Sequence, residues 1–211
     1  MGRVICLVMG YVFGLFQTGY LYGKMNHIDI RNYGSGNSGT TNALRVMGKK
    51  AGLIVFAGDF LKTVFACLAA RIIFKGSPDT DLYVLYAGLG VVLGHNFPCY
   101  LNFKGGKGIA SMAGILVSMD WRVTLVCAAL FLGAVIITRY VSLGSILVVI
   151  SFFIQILVYG AHGTFTVSAD HPMEFYAVSF VLMAMAVWRH KTNIKRLLSG
   201  TENKLWGGKK N

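Results

Sequence analysis

The chain has 211 residues, of which 55% are hydrophobic and 13% are charged. An average soluble domain is about 45–50% apolar and roughly 25% charged, so this composition argues against a soluble fold. Twenty lysines and arginines against eight acids give a net charge of +12. Because these cations flank apolar runs, they indicate a membrane protein with cations on one side or around an anionic substrate, and not a nucleic-acid partner.

Seven apolar stretches follow one another along the chain, each about as long as a bilayer-crossing helix or shorter. They are residues 4–22, 51–73, 82–99, 108–119, 122–138, 143–160 and 172–188. Residues 108–119 would form a helix about 18 Å long, which is too short to cross unaided. We expect this helix to lie behind a re-entrant loop or in a thinned bilayer. The sequence contains no repeat or linker, which predicts one all-α transmembrane domain over residues 1–211.

The charges separate when successive loops are assigned alternately to the two sides of the membrane. Fifteen of the twenty cations fall on one side, and two more, Lys62 and Arg71, lie within the second span. The remaining three, Arg3, Lys75 and Arg122, fall on the other side. The positive-inside rule then predicts about seven crossings, with the N-terminus outside and the C-terminus cytoplasmic.

The first cytoplasmic loop reads Y-G-S-G-N-S-G-T-T-N-A-L-R over residues 33–45. Its three glycines permit tight turns in which backbone N–H groups converge on an anion, and Arg45 can bind a phosphate through two hydrogen bonds. This pattern predicts a phosphate-binding loop. A flexible cytoplasmic connector is the alternative.

The second cytoplasmic loop reads G-H-N-F-P-C-Y-L-N-F-K-G-G-K-G over residues 94–108 and leads into the short helix at Ile109. A glycine-rich turn before a helix directs unpaired N–H groups toward a phosphate, and Lys104 and Lys107 add positive charge. The Walker spacing is absent, so ATP binding is not predicted. The alternative is that these lysines only mark the cytoplasmic side.

Two further segments carry weaker signals. Ser142 follows T-R-Y-V at a helix start, where capping explains it as well as ligand binding does. His190 and Asn193 lie three residues apart, so they share a face if the helix continues, and together could bind a hydroxyl or phosphate. Within the second span, Asp59 and Lys62 have the spacing of an internal ion pair.

The cysteines and histidines do not form a recognisable metal or disulfide pattern. Cys6, Cys67, Cys99 and Cys127 contain no C-x-x-C pair, which predicts free buried thiols. The five histidines lie on different segments and on both sides of the membrane. We therefore predict no metal, no cofactor and metal-independent activity.

Taken together, the motifs S-G-N-x-G-x-T-N-x-x-R, G-H-x-F-P-x-x-L-x-F-K-G-G-K-G, T-R-Y-x-S-L-G-S and H-x-x-N-I-x-R-L resemble the PlsY family of bacterial glycerol-3-phosphate acyltransferases. The resemblance covers essentially the whole chain. Thr40 stands where the family pattern leads us to expect Ala, and Ser111 where it leads us to expect Thr. The resemblance implies a multi-pass protein of the bacterial cytoplasmic (inner) membrane with its active site on the cytoplasmic face.

The resemblance also implies the reaction: a fatty acyl group passes from acyl phosphate to the 1-hydroxyl of sn-glycerol 3-phosphate, giving lysophosphatidate and phosphate. The residues fit this reaction because two phosphorylated substrates, one with a lipid tail, need a cationic, glycine-rich pocket at the membrane surface. An acyl phosphate has a good leaving group, so no covalent acyl-enzyme is needed. The sequence contains neither a convincing catalytic triad nor the H-x-x-x-x-D acyltransferase signature.

We expect the site residues to divide by substrate. Catalytic roles fall to Lys104, His190, Ser35 and Arg45. Glycerol 3-phosphate would bind Ser35, Arg45, Ser142, His190 and Asn193. Acyl phosphate would bind Lys104, Lys107 and the amides of Gly105 and Gly106, with Asn37, Thr41 and Asn42 shaping the first loop around it. The proton acceptor is either His190 or the donor's own phosphate, which the resemblance favours.

Two other classes of protein would suit the same sequence features. A transporter of organophosphates or other anions would also need cationic half-helix loops, although its binding groups would lie near the bilayer midplane and in a second broken helix. A non-catalytic lipid-binding subunit of a membrane complex is the other alternative, although it would not need two phosphate-binding loops.

Overall fold

The computed structural model describes residues 1–206, and over these residues the chain is entirely helical or irregular. The all-α prediction is therefore confirmed for the described part. Short 3-10 turns at Ile30–Asn32 and Cys99–Leu101 interrupt the loops. The α-helices are α1 Gly2–Gly14, α2 Thr18–Met25, α3 Thr40–Met47, α4 Lys49–Ile73, α5 Thr80–Asn96, α6 Ile109–Met119, α7 Trp121–Thr138, α8 Val141–Ala161, α9 Pro172–Arg189 and α10 Lys191–Leu198.

Five helical segments of the described chain are long and apolar enough to cross a membrane. They are Gly2–Met25, Lys49–Ile73, Thr80–Leu101, Trp121–Thr138 and Val141–Ala161. The remaining two predicted spans correspond to the short apolar helix α6 and to the 18-residue helix α9. Helix α6 begins at Ile109 and has 11 residues, as the sequence led us to expect of residues 108–119.

The first predicted span, residues 4–22, is broken in the structure into α1 and α2. The break leaves backbone carbonyls without helical partners, and buried side chains donate hydrogen bonds to them instead. Gln17 Nε2 donates to the carbonyl of Gly14 (3.1 Å), and Lys62 Nζ donates to the carbonyl of Phe16 (2.7 Å). The prediction of one continuous helix was wrong because hydropathy does not register a break whose polar groups are satisfied by other helices.

Helices α1 and α5 approach each other closely through small residues. A Cβ atom on Gly10 would lie 2.0 Å from the Ala87 carbonyl oxygen, and one on Gly90 would lie 2.2 Å from the Leu7 oxygen. Gly14 and Gly94 continue the same contact one turn further along their helices. This pattern of glycines four residues apart on both partners packs helices without help from the hydrophobic effect, as a membrane interior requires.

The predicted ion pair between Asp59 and Lys62 is present inside the bundle. Lys62 Nζ lies 2.8 Å from Asp59 Oδ1, and both side chains are almost fully buried. The sequence did not show that His95 joins them, with its Nδ1 3.0 Å from Lys62 Nζ. Lys62 Nζ also donates to the carbonyls of Phe16 (2.7 Å) and Gly14 (3.5 Å), and such additional hydrogen bonds are the condition under which a buried ion pair is tolerated.

The charges separate between the two ends of the bundle. At one end, Arg71 pairs with Asp81 (2.8 Å) and Arg3 pairs with Glu174 (2.6 Å through Nη2). At the other end, the glycine-rich loops and the cations of α3 and α10 surround a cavity. Two of the fifteen cations assigned to this side, Lys209 and Lys210, lie outside the described residues.

Candidate active site

One cavity of about 300 Å³ lies where the loops of the cation-rich end meet. Its wall includes residues from all four segments that the sequence analysis singled out. Nine predicted site residues line it: Ser35, Asn37, Thr41, Asn42, Arg45, Lys107, Ser142, His190 and Asn193. Apolar side chains form another part of the wall: Leu44, Phe56, Ile109, Phe131, Val135, Val141 and Leu205. The cavity therefore offers both polar and apolar surface.

The first loop is held in shape by Asn42 in the first turn of α3. The Asn42 Oδ1 atom accepts a hydrogen bond from Ser35 N (2.9 Å), and its Nδ2 atom donates to the Tyr33 carbonyl (3.0 Å). Gly34 adopts a φ of 60°, and a Cβ there would lie 2.3 Å from Asn42 Oδ1. Asn42 thus shapes the loop as predicted, and its amide is already engaged within the protein.

The second loop uses its glycines differently from the prediction. The Gly105 amide donates to the Asn96 carbonyl (3.2 Å) and the Gly106 amide to the His95 carbonyl (3.1 Å). These N–H groups are therefore not presented to a phosphate, because the end of α5 already accepts them. The two glycines instead permit close packing, since a Cβ on Gly106 would lie 2.0 Å from His95 Nε2.

Arg189 at the end of α9 holds the same two glycines from the other side. Its Nη2 atom donates to the carbonyls of Gly105 (3.0 Å) and Gly106 (2.6 Å). The N–H groups and the carbonyls of Gly105 and Gly106 thus all have hydrogen-bond partners. The neighbouring Lys104 is exposed and does not line the cavity. Of the two lysines in this loop, Lys107 is the one that lines the cavity.

Lys107 is half-buried, and its Nζ atom donates a short hydrogen bond to Asn193 Oδ1. Burial, together with the nearby Arg196 guanidinium, lowers the pKa of Lys107 to about 8. After Lys107, Gly108 adopts a φ of 81° and α6 begins, with Ile109 and Ala110 on the cavity wall. The first turn of a helix has unpaired N–H groups, so the start of α6 can bind an anion at this wall.

Two hydroxyl groups at the cavity are buried without a hydrogen-bond partner in the described chain. They are Ser142 Oγ and Thr40 Oγ1. Ser142 lies in the first turn of α8, whose N-cap is Tyr140, and so does not act as the cap. Buried polar atoms are rarely left unpaired, so both hydroxyls have the properties of groups that bind a ligand.

His190 lies between α9 and α10 and is almost fully buried. Its Nδ1 atom lies 2.8 Å from the Ala186 carbonyl, which can only accept a hydrogen bond, so Nδ1 carries a proton. In the neutral imidazole the lone pair is then on Nε2. Burial lowers the pKa of His190 to about 4, and the Lys107 ammonium contributes to this shift, so the ring is neutral at pH 7.

Comparison with known proteins identifies the family. The model of the glycerol-3-phosphate acyltransferase family matches residues 4–200. A glycerol-3-phosphate acyltransferase of Clostridioides difficile is 41% identical over 96% of this chain and 95% of its own length. One from Thermoanaerobacter sp. is 37% identical, with 97% and 96% covered. The chain belongs to the glycerol-3-phosphate acyltransferase family.

Solved structures agree with this assignment. A crystal structure of PlsY, an integral membrane glycerol 3-phosphate acyltransferase, in its glycerol 3-phosphate form has a TM-score of 0.85 at 35% identity, covering 98% of this chain and 96% of that one. Its lysophosphatidic acid form has a TM-score of 0.81 at 34% identity, with 97% and 95% covered. The resemblance inferred from the motifs is confirmed. This family member is an integral membrane acyltransferase of phospholipid synthesis.

The cavity of this glycerol-3-phosphate acyltransferase family member is also lined by residues that the sequence analysis did not assign to a site. His95 and Asp59 line the cavity beside the buried Lys62, and Arg196 and Glu202 line it near Asn193. Arg196 belongs to the terminal H-x-x-N-I-x-R-L motif, which could have indicated it. Glu202 lies beyond the residues that the family model matches, and no motif marked it.

Proposed function

We propose that this chain transfers a fatty acyl group from acyl phosphate to the 1-hydroxyl of sn-glycerol 3-phosphate, giving lysophosphatidate and inorganic phosphate. The observation that carries this proposal is the cavity, which combines three cations, Arg45, Lys107 and Arg196, with a largely apolar wall. A phosphate group and an acyl chain need these two kinds of surface. The forms in which PlsY was crystallised, with glycerol 3-phosphate and with lysophosphatidic acid, support the acceptor and the product.

The acceptor would bind among Ser35, Arg45, Ser142, His190 and Asn193. Arg45 offers a planar guanidinium suited to a phosphate, and the unpartnered Ser142 hydroxyl can bond a hydroxyl or phosphate oxygen. His190 Nε2 can accept a hydrogen bond from the attacking hydroxyl because Nδ1 is the protonated atom. These contacts would place the 1-hydroxyl beside the donor's carbonyl carbon.

The donor phosphate would be held by Lys107 and the N-terminus of α6, whereas the exposed Lys104, outside the cavity wall, would only attract the anionic substrates toward the site. Gly105 and Gly106 would act by holding this loop in place, and Asn37, Thr41 and Asn42 by shaping the facing loop. Attack forms the new ester C–O bond and breaks the bond between the acyl carbon and the phosphate oxygen. Positive charge around the phosphate would stabilise its departure.

The departing phosphate would accept the hydroxyl proton. A histidine whose pKa lies near 4 is a weak base at neutral pH, so His190 suits a hydrogen-bonding role better than a proton-accepting one. The phosphate gains basicity as its bond to the acyl group breaks. This assignment follows the substrate-assisted alternative that the resemblance favours.

The proposal includes a membrane arrangement. The chain would cross the inner membrane seven times, with α6 as a short crossing behind the second loop and α9 as the last. The N-terminus would lie outside and the cavity at the cytoplasmic surface. The separation of cations to the cavity end supports this orientation through the positive-inside rule.

The test is a reaction with purified protein in detergent, acyl phosphate and glycerol 3-phosphate. We expect lysophosphatidate and inorganic phosphate in equal amounts, and a loss of at least tenfold in rate for Arg45→Ala. Lys195→Ala removes an exposed cation of α10 outside the cavity wall and should retain wild-type activity. If no product forms, or if Arg45→Ala retains wild-type activity, the acyltransferase proposal fails and the transporter and lipid-binding alternatives remain. Replacing acyl phosphate with acyl-CoA or acyl carrier protein in the same assay tests which acyl donor the protein uses.

A further inference from the structure

A short segment after α10, residues 201–206, returns across the cavity, and we call it the strap. The Thr201 amide donates to the Arg196 carbonyl (2.9 Å) at the start of the strap. Near its end, the Leu205 amide donates to the Arg139 carbonyl (2.8 Å) between α7 and α8. Glu202, Asn203 and Leu205 line the cavity between these attachments. The strap therefore covers part of the site and is attached at both ends.

The strap places a carboxylate among the cations of the site. Only 6% of the Glu202 side chain is exposed. Its Oε1 atom accepts a hydrogen bond from Asn193 Nδ2 (2.8 Å), and its Oε2 atom accepts one from Arg196 Nε (2.8 Å). Asn193 in turn accepts a hydrogen bond from Lys107. Each oxygen of this carboxylate thus holds a different donor of the site.

These donors form an anion site that is already filled by the protein. The proposed function assigns Lys107 and Asn193 to the substrates, and Arg196 is the cation beside them. A phosphate oxygen would use the same N–H groups as the Glu202 carboxylate. Two anions cannot share them without strong repulsion, because the site is buried and poorly screened. A substrate phosphate at this position therefore competes with Glu202.

We propose that the strap is a lid whose Glu202 carboxylate occupies the position of a substrate phosphate until the substrate displaces it. This inference rests on the proposed function for the identity of the phosphate. Because only open molecules bind substrate, the apparent affinity equals the intrinsic affinity multiplied by the open fraction. The closed lid also keeps the buried cations paired when no substrate is bound. The strap follows residue 200, where the match to the family model ends.

The first test is Glu202→Gln, which keeps the shape of the side chain and removes its charge. We expect KM for glycerol 3-phosphate to fall by roughly threefold to tenfold, as loss of a competing charged hydrogen bond implies. The Ki of inorganic phosphate should fall with it. Lys204→Gln changes an exposed charge of the same strap and should leave both constants within about twofold. An unchanged or higher KM in Glu202→Gln overturns the lid, because Glu202 would then be positioning Asn193 and Arg196 for the substrate.

The second test needs neither a variant nor turnover. Hydrogen exchange at the Leu205 amide reports whether its bond to the Arg139 carbonyl is open. With wild-type protein, adding inorganic phosphate or glycerol 3-phosphate should accelerate exchange in the strap and leave that of α5 unchanged. Slower or unchanged exchange in the strap contradicts the lid. If the protein makes no lysophosphatidate, the proposed function fails, but the exchange response to inorganic phosphate still decides the lid.

Discussion

At the scale of single residues, His190 shows how burial limits the chemistry of a side chain. Its proton on Nδ1 is fixed by the Ala186 carbonyl, and its pKa of about 4 keeps the ring neutral. We therefore predict that His190→Ala raises KM for glycerol 3-phosphate by about tenfold, the value of one good hydrogen bond, and changes kcat by less than threefold. Steady-state kinetics at pH 7.5 checks this. A large loss of kcat with an unchanged KM would make His190 the base.

The lowered pKa of Lys107 predicts that activity falls at alkaline pH. This pKa lies near 8, below that of an ordinary lysine, so the ammonium proposed to bind phosphate is present below pH 8 and is lost as the pH rises through that value. We expect kcat/KM, which reports the free enzyme, to fall about tenfold for each pH unit well above 8. Lys107→Arg retains the charge and should shift this limb to higher pH. A pH profile unchanged by the substitution would contradict the assignment.

At the scale of elements, the second loop depends on glycine for packing more than for phosphate binding. A Cβ on Gly106 would lie 2.0 Å from the ring of His95, which Lys62 holds in place. We predict that Gly106→Ala lowers activity at least tenfold by displacing Lys107 and the start of α6. Gly133→Ala is the matched control, because its Cβ would meet no atom within 4 Å. Activity and melting temperature should both be measured, and wild-type activity in Gly106→Ala would contradict this account.

The sequence was sufficient to locate the loops but not to assign every group within them. Glycine, lysine and asparagine at these spacings predicted a cationic turn before a short helix, and α6 begins as expected at Ile109. The sequence could not show that the Gly105 and Gly106 amides bond the end of α5, because that depends on how the loop between them turns the chain back. The break before Thr18 could not be predicted because its carbonyls are satisfied from a distant helix, by Lys62.

At the scale of the whole molecule, the two ends of the bundle use their charged residues differently. At the end away from the cavity, pairs such as Arg71 with Asp81 join neighbouring helices and leave little free charge. At the cavity end, cations outnumber acids, and the excess remains available for anions. Under the proposed function, the net charge of +12 would serve two purposes, since part of it would orient the chain in the membrane and part would bind phosphate.

The orientation can be tested with a thiol that the protein already contains. The sequence predicted four buried cysteines, but only Cys6, Cys67 and Cys127 are buried, whereas Cys99 is exposed in the turn after α5. The prediction was wrong for Cys99 because the short turn Cys99–Leu101 buries Leu101 against the bundle and leaves Cys99 exposed. If that end is cytoplasmic, a membrane-impermeant maleimide should label the protein in inverted inner-membrane vesicles and leave it unlabelled in intact spheroplasts. Cys99→Ser should abolish the signal, and detergent should expose Cys99 in both preparations. Labelling in intact spheroplasts would place the cavity on the outer surface, where cytoplasmic glycerol 3-phosphate could not reach it, and would overturn both the orientation and the substrate assignment.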